Sequence, residues 1–185
     1  MIINKTLYFF TNSISNINKE NILKYKNITL VYYNEDASIN LDQLSDIKKF
    51  CLKNYIKIFI VDNFKIAKKF NLNGIILSHY RQKNLSTNIN NFNKKNFEII
   101  SKVHSQKEYF FMKKKNCKKF MLSPIFQTKK YNFKNFLGIT RFNQMTLNWD
   151  GKIYALGGIN INNIKKMKMT KCSGFGFSNL LELPK

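Results

Sequence analysis

Gly157 and Gly158 are the residues best able to bring backbone polar groups up to a ligand. They close a strand-forming run, Ile153 to Leu156, and are followed by Ile159, Asn160 and the helix-like stretch NNIKKMKM. Neither glycine carries a Cβ, so the chain can turn sharply there and lie close to another group. A helix capped by Asn160 or Asn162 would present its first amides to an anion such as phosphate. The same pair also suits a plain strand-to-helix turn, so its meaning depends on its surroundings. A second glycine-bearing segment, GFGFSN at 174–179, ends in Ser178, whose hydroxyl could cap a short final helix.

Other reactive side chains follow apolar runs. Asp62, directly after IKIFIV, could bind a metal or cap a helix starting at Asn63. His104 precedes a Ser105…Glu108 capping pair and reads equally as a base or a packing residue. Thr128, Lys129 and Lys130 could clamp a phosphate, the lysines as point charges, or form a solvated loop.

Eight runs precede these groups: LYFFT at 7–11, ITLVYY at 28–33, IKIFIV at 56–61, GIIL at 74–77, FEIISKV at 97–103, KFMLS at 119–123, KIYAL at 152–156 and GFGFS at 174–178. They are mostly apolar rather than alternating, the pattern of strands covered on both faces of a parallel sheet. Helical patterns lie between them at 17–25, 41–54, 63–70, 106–115 and 162–168. The clearest, 41–54, spaces Leu41, Leu44, Ile47 and Cys51 along one face and opens on an Asn40…Gln43 pair. The Asn-rich stretch 82–95 reads as a loop or a degraded helix. Eight strands alternating with helices predict an α/β fold, a compact (β/α)8 TIM-type barrel with some helices shortened, because barrels usually exceed roughly 200 residues. A doubly wound open sheet is the alternative. In a barrel the site lies at the C-terminal ends of the strands, and the loops after strands 7 and 8 often hold phosphate. Those loops here are the two glycine segments.

The chain has 185 residues and a mass of 21.9 kDa, enough for one domain, 1–185, with a real core. No run approaches the length of a membrane span, and LYFF is too short for a signal-peptide core, so a cytoplasmic protein without a membrane partner is expected. Cys51, Cys117 and Cys172 are odd in number and far apart, which suggests neither a disulfide framework nor a zinc site. The net charge of +22 invites a nucleic-acid reading. However, only Arg81 and Arg141 among the 32 basic residues are arginines, and the lysines are scattered through a chain also rich in Asn and Ile. A/T-rich codons account for all three residue types, so no specific nucleic-acid partner is expected.

The order of motifs resembles the thiamine phosphate synthase and TenI family. LYFFTN resembles its opening strand, and IFIVDNFKIAKKFNLNGIIL its Asn-Asp strand and following helix. IISKVH resembles the segment carrying its Ser and His, SPIFQTKKYNFKNFLGITRF its loop after strand 6, and YALGGININNI with GFGFS its phosphate loops. The resemblance implies a phosphate-binding barrel of thiamine biosynthesis. Synthases of this family join a pyrimidine pyrophosphate to a thiazole phosphate and release pyrophosphate. They use Mg2+ on acidic side chains, with Arg and Lys around the leaving group.

Carried over by position, Gly157, Gly158, Ser178, Thr128 and Lys129 would bind the substrate phosphate, His104 and Lys130 would be catalytic, and Asp62 would hold the metal. Mg2+ is implied if synthase activity is retained, and no cofactor otherwise. The pyrophosphate end departs from the family. Tyr33 and Glu35 stand near its Arg and Lys after strand 2, Val61 replaces the Asn before Asp62, and Arg81 falls near its second acid. Its Ser falls at Lys102 or Val103, its strand-4 His and Gln at Ile76 and His79, and the second histidine of the TenI branch at Pro124. Two unit charges ~4 Å apart interact by about 4 kcal/mol at an effective dielectric near 20. A carboxylate at Glu35 would therefore oppose pyrophosphate unless it turns away, and Lys129, Lys130 or Lys102 could restore positive charge. The expected ligands are a phosphorylated thiazole with its pyrimidine partner, or thiamine phosphate. The alternatives to a synthase are a catalytically degenerate binder and a thiazole tautomerase.

Overall fold

A computed structural model describes residues 5–34, 38–78, 82, 97–128 and 136–178, apart from the side chain of Asn16. Its eight strands, all parallel, close into one barrel in sequence order. They are β1 (Thr6–Thr11), β2 (Ile28–Tyr32), β3 (Lys57–Val61), β4 (Gly74–Leu77), β5 (Glu98–Val103), β6 (Lys119–Leu122), β7 (Lys152–Leu156) and β8 (Gly174–Phe177). The β8–β1 ladder, with Leu7 opposite Phe175 and Phe9 opposite Phe177, closes the ring and rules out the open sheet.

Strand residues alternate between two cores. Outward residues such as Leu30, Ile58, Ile75, Val103, Phe120 and Phe175 pack under the helices. Inward residues Tyr8, Val31, Phe59, Ile76, Ile100, Met121 and Tyr154 form the barrel's own dry middle. Each strand is therefore apolar at successive positions, as a sheet covered on both faces requires. The interior takes large rings because β8 contributes only glycine to it. A Cβ on Gly176 would lie 2.8 Å from both Leu156 Cδ1 and Phe10 Cε2. Across the barrel, a Cβ on Gly74 would meet the Phe59 ring at 2.6 Å.

The helices follow their caps. In α1 (Lys19–Leu23), α2 (Leu41–Lys53), α3 (Phe64–Lys69) and α4 (Gln106–Lys114), the side chain of Asn18, Asn40, Asn63 or Ser105 accepts a first-turn amide. The long helix α2 buries Leu44, Ile47 and Cys51, while Leu41 stays exposed; each full burial of a leucine-sized side chain is worth about 1.5–3 kcal/mol. Burial raises the Cys51 thiol to about 12, so it behaves as an apolar group. Helix α5 (Gly138–Thr146) has no counterpart among the sequence patterns. Its N-cap position is Leu137, which offers no side-chain acceptor, so the usual start signal is missing. Two predicted helices shrink. Residues 17–25 give a short 3-10 turn (Ile14–Asn16) and then α1, and residues 162–168 give a 3-10 segment, Ile164–Met169. Of the predicted loop 82–95, all but residue 82 lies outside the described residues. No helix among the described residues is long and apolar enough to cross a membrane.

The lower end of the barrel is polar. Glu98, at the start of β5, accepts from Lys57 Nζ at 2.5 Å and also from Lys119. Burial alone would raise its carboxyl, but the two lysine hydrogen bonds outweigh that and hold it below 4.5. A carboxylate lowered in the folded state contributes stability that is complete above the unfolded value and is lost as pH falls through the folded one. Thermal melting should therefore show wild type losing stability as the pH drops below 4.5, with Glu98→Gln losing less over the same interval. Parallel curves for the two proteins would contradict the assignment.

Candidate functional site

Extending each inward register by one more residue pair defines the upper mouth of the barrel. Phe10, Val61 and Leu156 cover the dry middle. At the same level alternation places Tyr33, Ser78, Lys102, Ser123 and Ser178, so five of eight positions are polar or phenolic. This end carries the groups singled out by the sequence.

Leu156 pairs with Gly176, so the Gly157-Gly158 turn and Ser178 both follow the paired C-terminal ends of adjacent strands. The backbone turns at Gly157 and Gly158 with φ of 96° and 69°, a region that L side chains rarely adopt. The loop after β6 lies directly against this turn. Ile125 N–H donates to Leu156 O at 2.9 Å, and Phe126 N–H to Gly157 O at 3.0 Å. A Cβ on Gly157 would lie 2.9 Å from Pro124 Cα, and one on Gly158 would overlap the carbonyls of Gln127 and Phe126. Close backbone approach is therefore the first reason for both glycines, and it brings Thr128 next to the turn.

The expected helix-start amides are not the ones on offer. Asn160 N–H donates to Asn163 Oδ1 at 2.9 Å, Asn162 N–H to Asn160 Oδ1 at 3.0 Å, and Ile164 N–H to Asn160 O at 2.8 Å. Asn163 Nδ2 donates to Gly158 O at 2.7 Å and so ties the turn down. Neither Asn160 nor Asn162 caps an α-helix; both belong to a tight asparagine-braced turn. The N–H groups of Gly158 and Ile159 have no acceptor among the described residues. The available backbone donors thus lie on the glycine turn itself, one residue pair above Leu156.

His104 sits on the same rim. Its Nδ1 lies 2.7 Å from Ser123 O, a carbonyl that can only accept, so in the neutral ring the proton is on Nδ1 and Nε2 is the basic nitrogen. Its own N–H donates to Glu108 Oε2 at 2.8 Å, locking the turn into α4. Across the mouth, Asp62 adopts φ 59° and accepts Ser78 N–H on Oδ1 at 2.7 Å. Asn63, not Asp62, caps α3, so Asp62 instead joins the tops of β3 and β4. Gln82 does the same for β4 and β5, donating from Nε2 to Leu77 O at 2.9 Å and to Lys102 O at 2.5 Å. Lys129, Lys130, Glu35, His79 and Arg81 lie outside the described residues.

Residues 7–179 match the family described as thiamine monophosphate synthase. The chain belongs to that family. Among solved structures it is similar to the thiamine phosphate pyrophosphorylase from Pyrococcus furiosus, at 16% identity and a TM-score of 0.73, covering 95% of this chain and 86% of that one. It is also similar to the thiamine phosphate pyrophosphorylase from Bacteroides thetaiotaomicron (17% identity, TM-score 0.57, 94% and 82% covered). A third likeness is to a glycerol uptake operon antiterminator regulatory protein from Listeria monocytogenes (14%, TM-score 0.66, 95% and 93%). At these identities the structural likeness is one of fold. A search of curated proteins found no match. Family and fold together support a role in thiamine biosynthesis.

Set in the thiamine monophosphate synthase frame, the barrel resolves one ambiguous register. Ile100 is in the inner core and Val103 in the outer one, so alternation along β5 puts Lys102, rather than Val103, at the inward position before His104. The alternation Glu98, Ile100, Lys102 along β5 carries that signal in the sequence. Val61 and Tyr33 also stand at the mouth, with Tyr33 edge-on to Phe10 at 6.3 Å. Mg2+ would require several hard oxygen donors. Among the described residues there is no cluster of three metal-ligating side chains, and Asp62 already spends one oxygen on Ser78 N–H. These residues alone do not make a Mg2+ site. Asn163→Leu removes the two side-chain hydrogen bonds of Asn163, to Asn160 N–H and Gly158 O, so it should cost about 1–3 kcal/mol and lower the melting temperature. An unchanged melting temperature would mean that the turn is held otherwise.

Proposed function

We propose that the chain acts in thiamine biosynthesis as a thiamine phosphate synthase-type protein, holding a thiazole phosphate at the upper mouth of the barrel. The observation that carries this reading is that the Gly157-Gly158 turn and Ser178 both follow the paired C-terminal ends of adjacent strands β7 and β8. Gly158 and Ile159 N–H groups and the Ser178 hydroxyl would donate to the phosphate oxygens, with Thr128, Lys129 and Lys130 contributed by the loop after β6. In the transfer reaction the thiazole nitrogen attacks the methylene carbon of the pyrimidine pyrophosphate. The carbon–oxygen bond breaks, and its electron pair leaves with pyrophosphate. Lys102, on the inward face of β5, would stabilise that departing charge, and Gln82 donates to its carbonyl. His104, with its proton held on Nδ1, can take or hold a proton on Nε2. Asp62 braces the opposite rim and is proposed as a contributor to metal binding only together with substrate oxygens.

Purified protein given both substrates should release pyrophosphate, and Lys102→Met should slow that release by roughly 10²–10³-fold while binding of thiazole phosphate persists. A second reading, a binder without turnover, is favoured by the apolar Val61 and the Phe10–Tyr33 pair where a pyrophosphate site would need charge. Saturable binding of thiamine phosphate with no pyrophosphate release would select it. Absence of any phosphate-dependent binding at the glycine turn would sink both readings.

A further inference from the structure

The opposite end of the barrel carries a second polar cavity that the proposed function does not use. It has a volume of about 130 Å3 and is lined by Thr6, Tyr8, Thr29, Lys57, Glu98, Lys119, Lys152 and Tyr154. Three of these residues are lysines and one is a carboxylate, so the walls carry two positive charges more than negative ones. Lys57 and Lys119 share Glu98, and Lys152 stands beside Lys119 in the β6–β7 register. The remaining polar wall groups are hydroxyls. Thr29, Tyr8 and Tyr154 line the cavity while each is at most 4% exposed, and the two tyrosine hydroxyls hydrogen-bond to each other. Burial raises both tyrosines above their ordinary value, Tyr8 the more strongly, so they remain neutral hydroxyls. A space lined by three lysines and several hydroxyls, with a single carboxylate already engaged by two of the lysines, is complementary to an anion. At ~30 Å3 per water it could take about four waters, or one small oxyanion with less.

We propose that the N-terminal mouth of the barrel is an anion site, taking one small inorganic oxyanion of the phosphate class between Lys57, Lys119 and Lys152. The dry layer of Val31, Phe59, Ile76, Ile100 and Met121 separates it from the upper mouth, so an ion there has no path through the barrel to the thiazole end. Its role is to neutralise the converging lysines and stabilise the lower rim. The site does not depend on the proposed activity.

Inorganic phosphate titrated into the 185-residue chain, with ring-proton resonances of Tyr8 and Tyr154 followed by NMR, locates binding at this end. Saturable shifts of both rings are expected. Lys152→Met should weaken the affinity roughly tenfold or more, as loss of a charge-assisted contact does, while the exposed Lys107→Met leaves it unchanged. Rings that do not shift, shifts reproduced by chloride at matched ionic strength, or equal affinity in Lys152→Met would each overturn the proposal.

Discussion

A closed ring of eight strands encloses a fixed volume, and every other feature of this chain depends on how that volume is filled. Four rings, from Tyr8, Phe10, Phe59 and Tyr154, point into it. Two glycines, Gly74 beside Phe59 and Gly176 beside Phe10, leave them room. Interiors pack at crystal-like density, so the ring-and-glycine match is a constraint rather than a preference. Without glycine on β8, Phe10 and Leu156 could not lie where they do, and the floor of the upper mouth would be displaced. The dry plug also keeps the two charged mouths apart, which lets each end carry its own polar set.

The fold was largely legible because burial on both faces writes an apolar run into each strand. All eight runs became strands with ends moved by a residue or so. Helices were legible where a cap residue announced them, as with Asn40 and Ser105. Helix α5 was not, because its first turn is held by chain contacts, Leu137 N–H to Pro124 O and Gly138 N–H to Ile125 O, and not by a side-chain cap. The stretch 162–168 looked helical by spacing, but asparagines at 160 and 163 divert its amides into a turn, leaving a 3-10 segment.

The site was legible in part. The glycine turn and Ser178 could be placed after strands 7 and 8 because the strand count fixes that position. Their relation to Pro124 and Phe126 could not, since it depends on where the loop after β6 falls in space. Asp62 illustrates the limit: a carboxylate after a strand reads as a ligand or a cap, and its bond to Ser78 N–H depends on two strand tops meeting. Lys102 needed only the period of two along β5, but the choice between it and Val103 was open until the inner and outer faces were known.

The loop after β6 is pinned at its neck. Leu137 and Gly138 return to the carbonyls of Pro124 and Ile125, while Ile125 and Phe126 are stitched to the β7 turn. Both ends of the connection are therefore anchored independently of the residues between them. Lengthening such a closed connection costs little chain entropy, growing only with the logarithm of its length. Segments of different length and chemistry could thus be exchanged between 129 and 135 without reopening the barrel. The neck is thus held beside the glycine turn by its own hydrogen bonds, whatever the length of the segment that it carries.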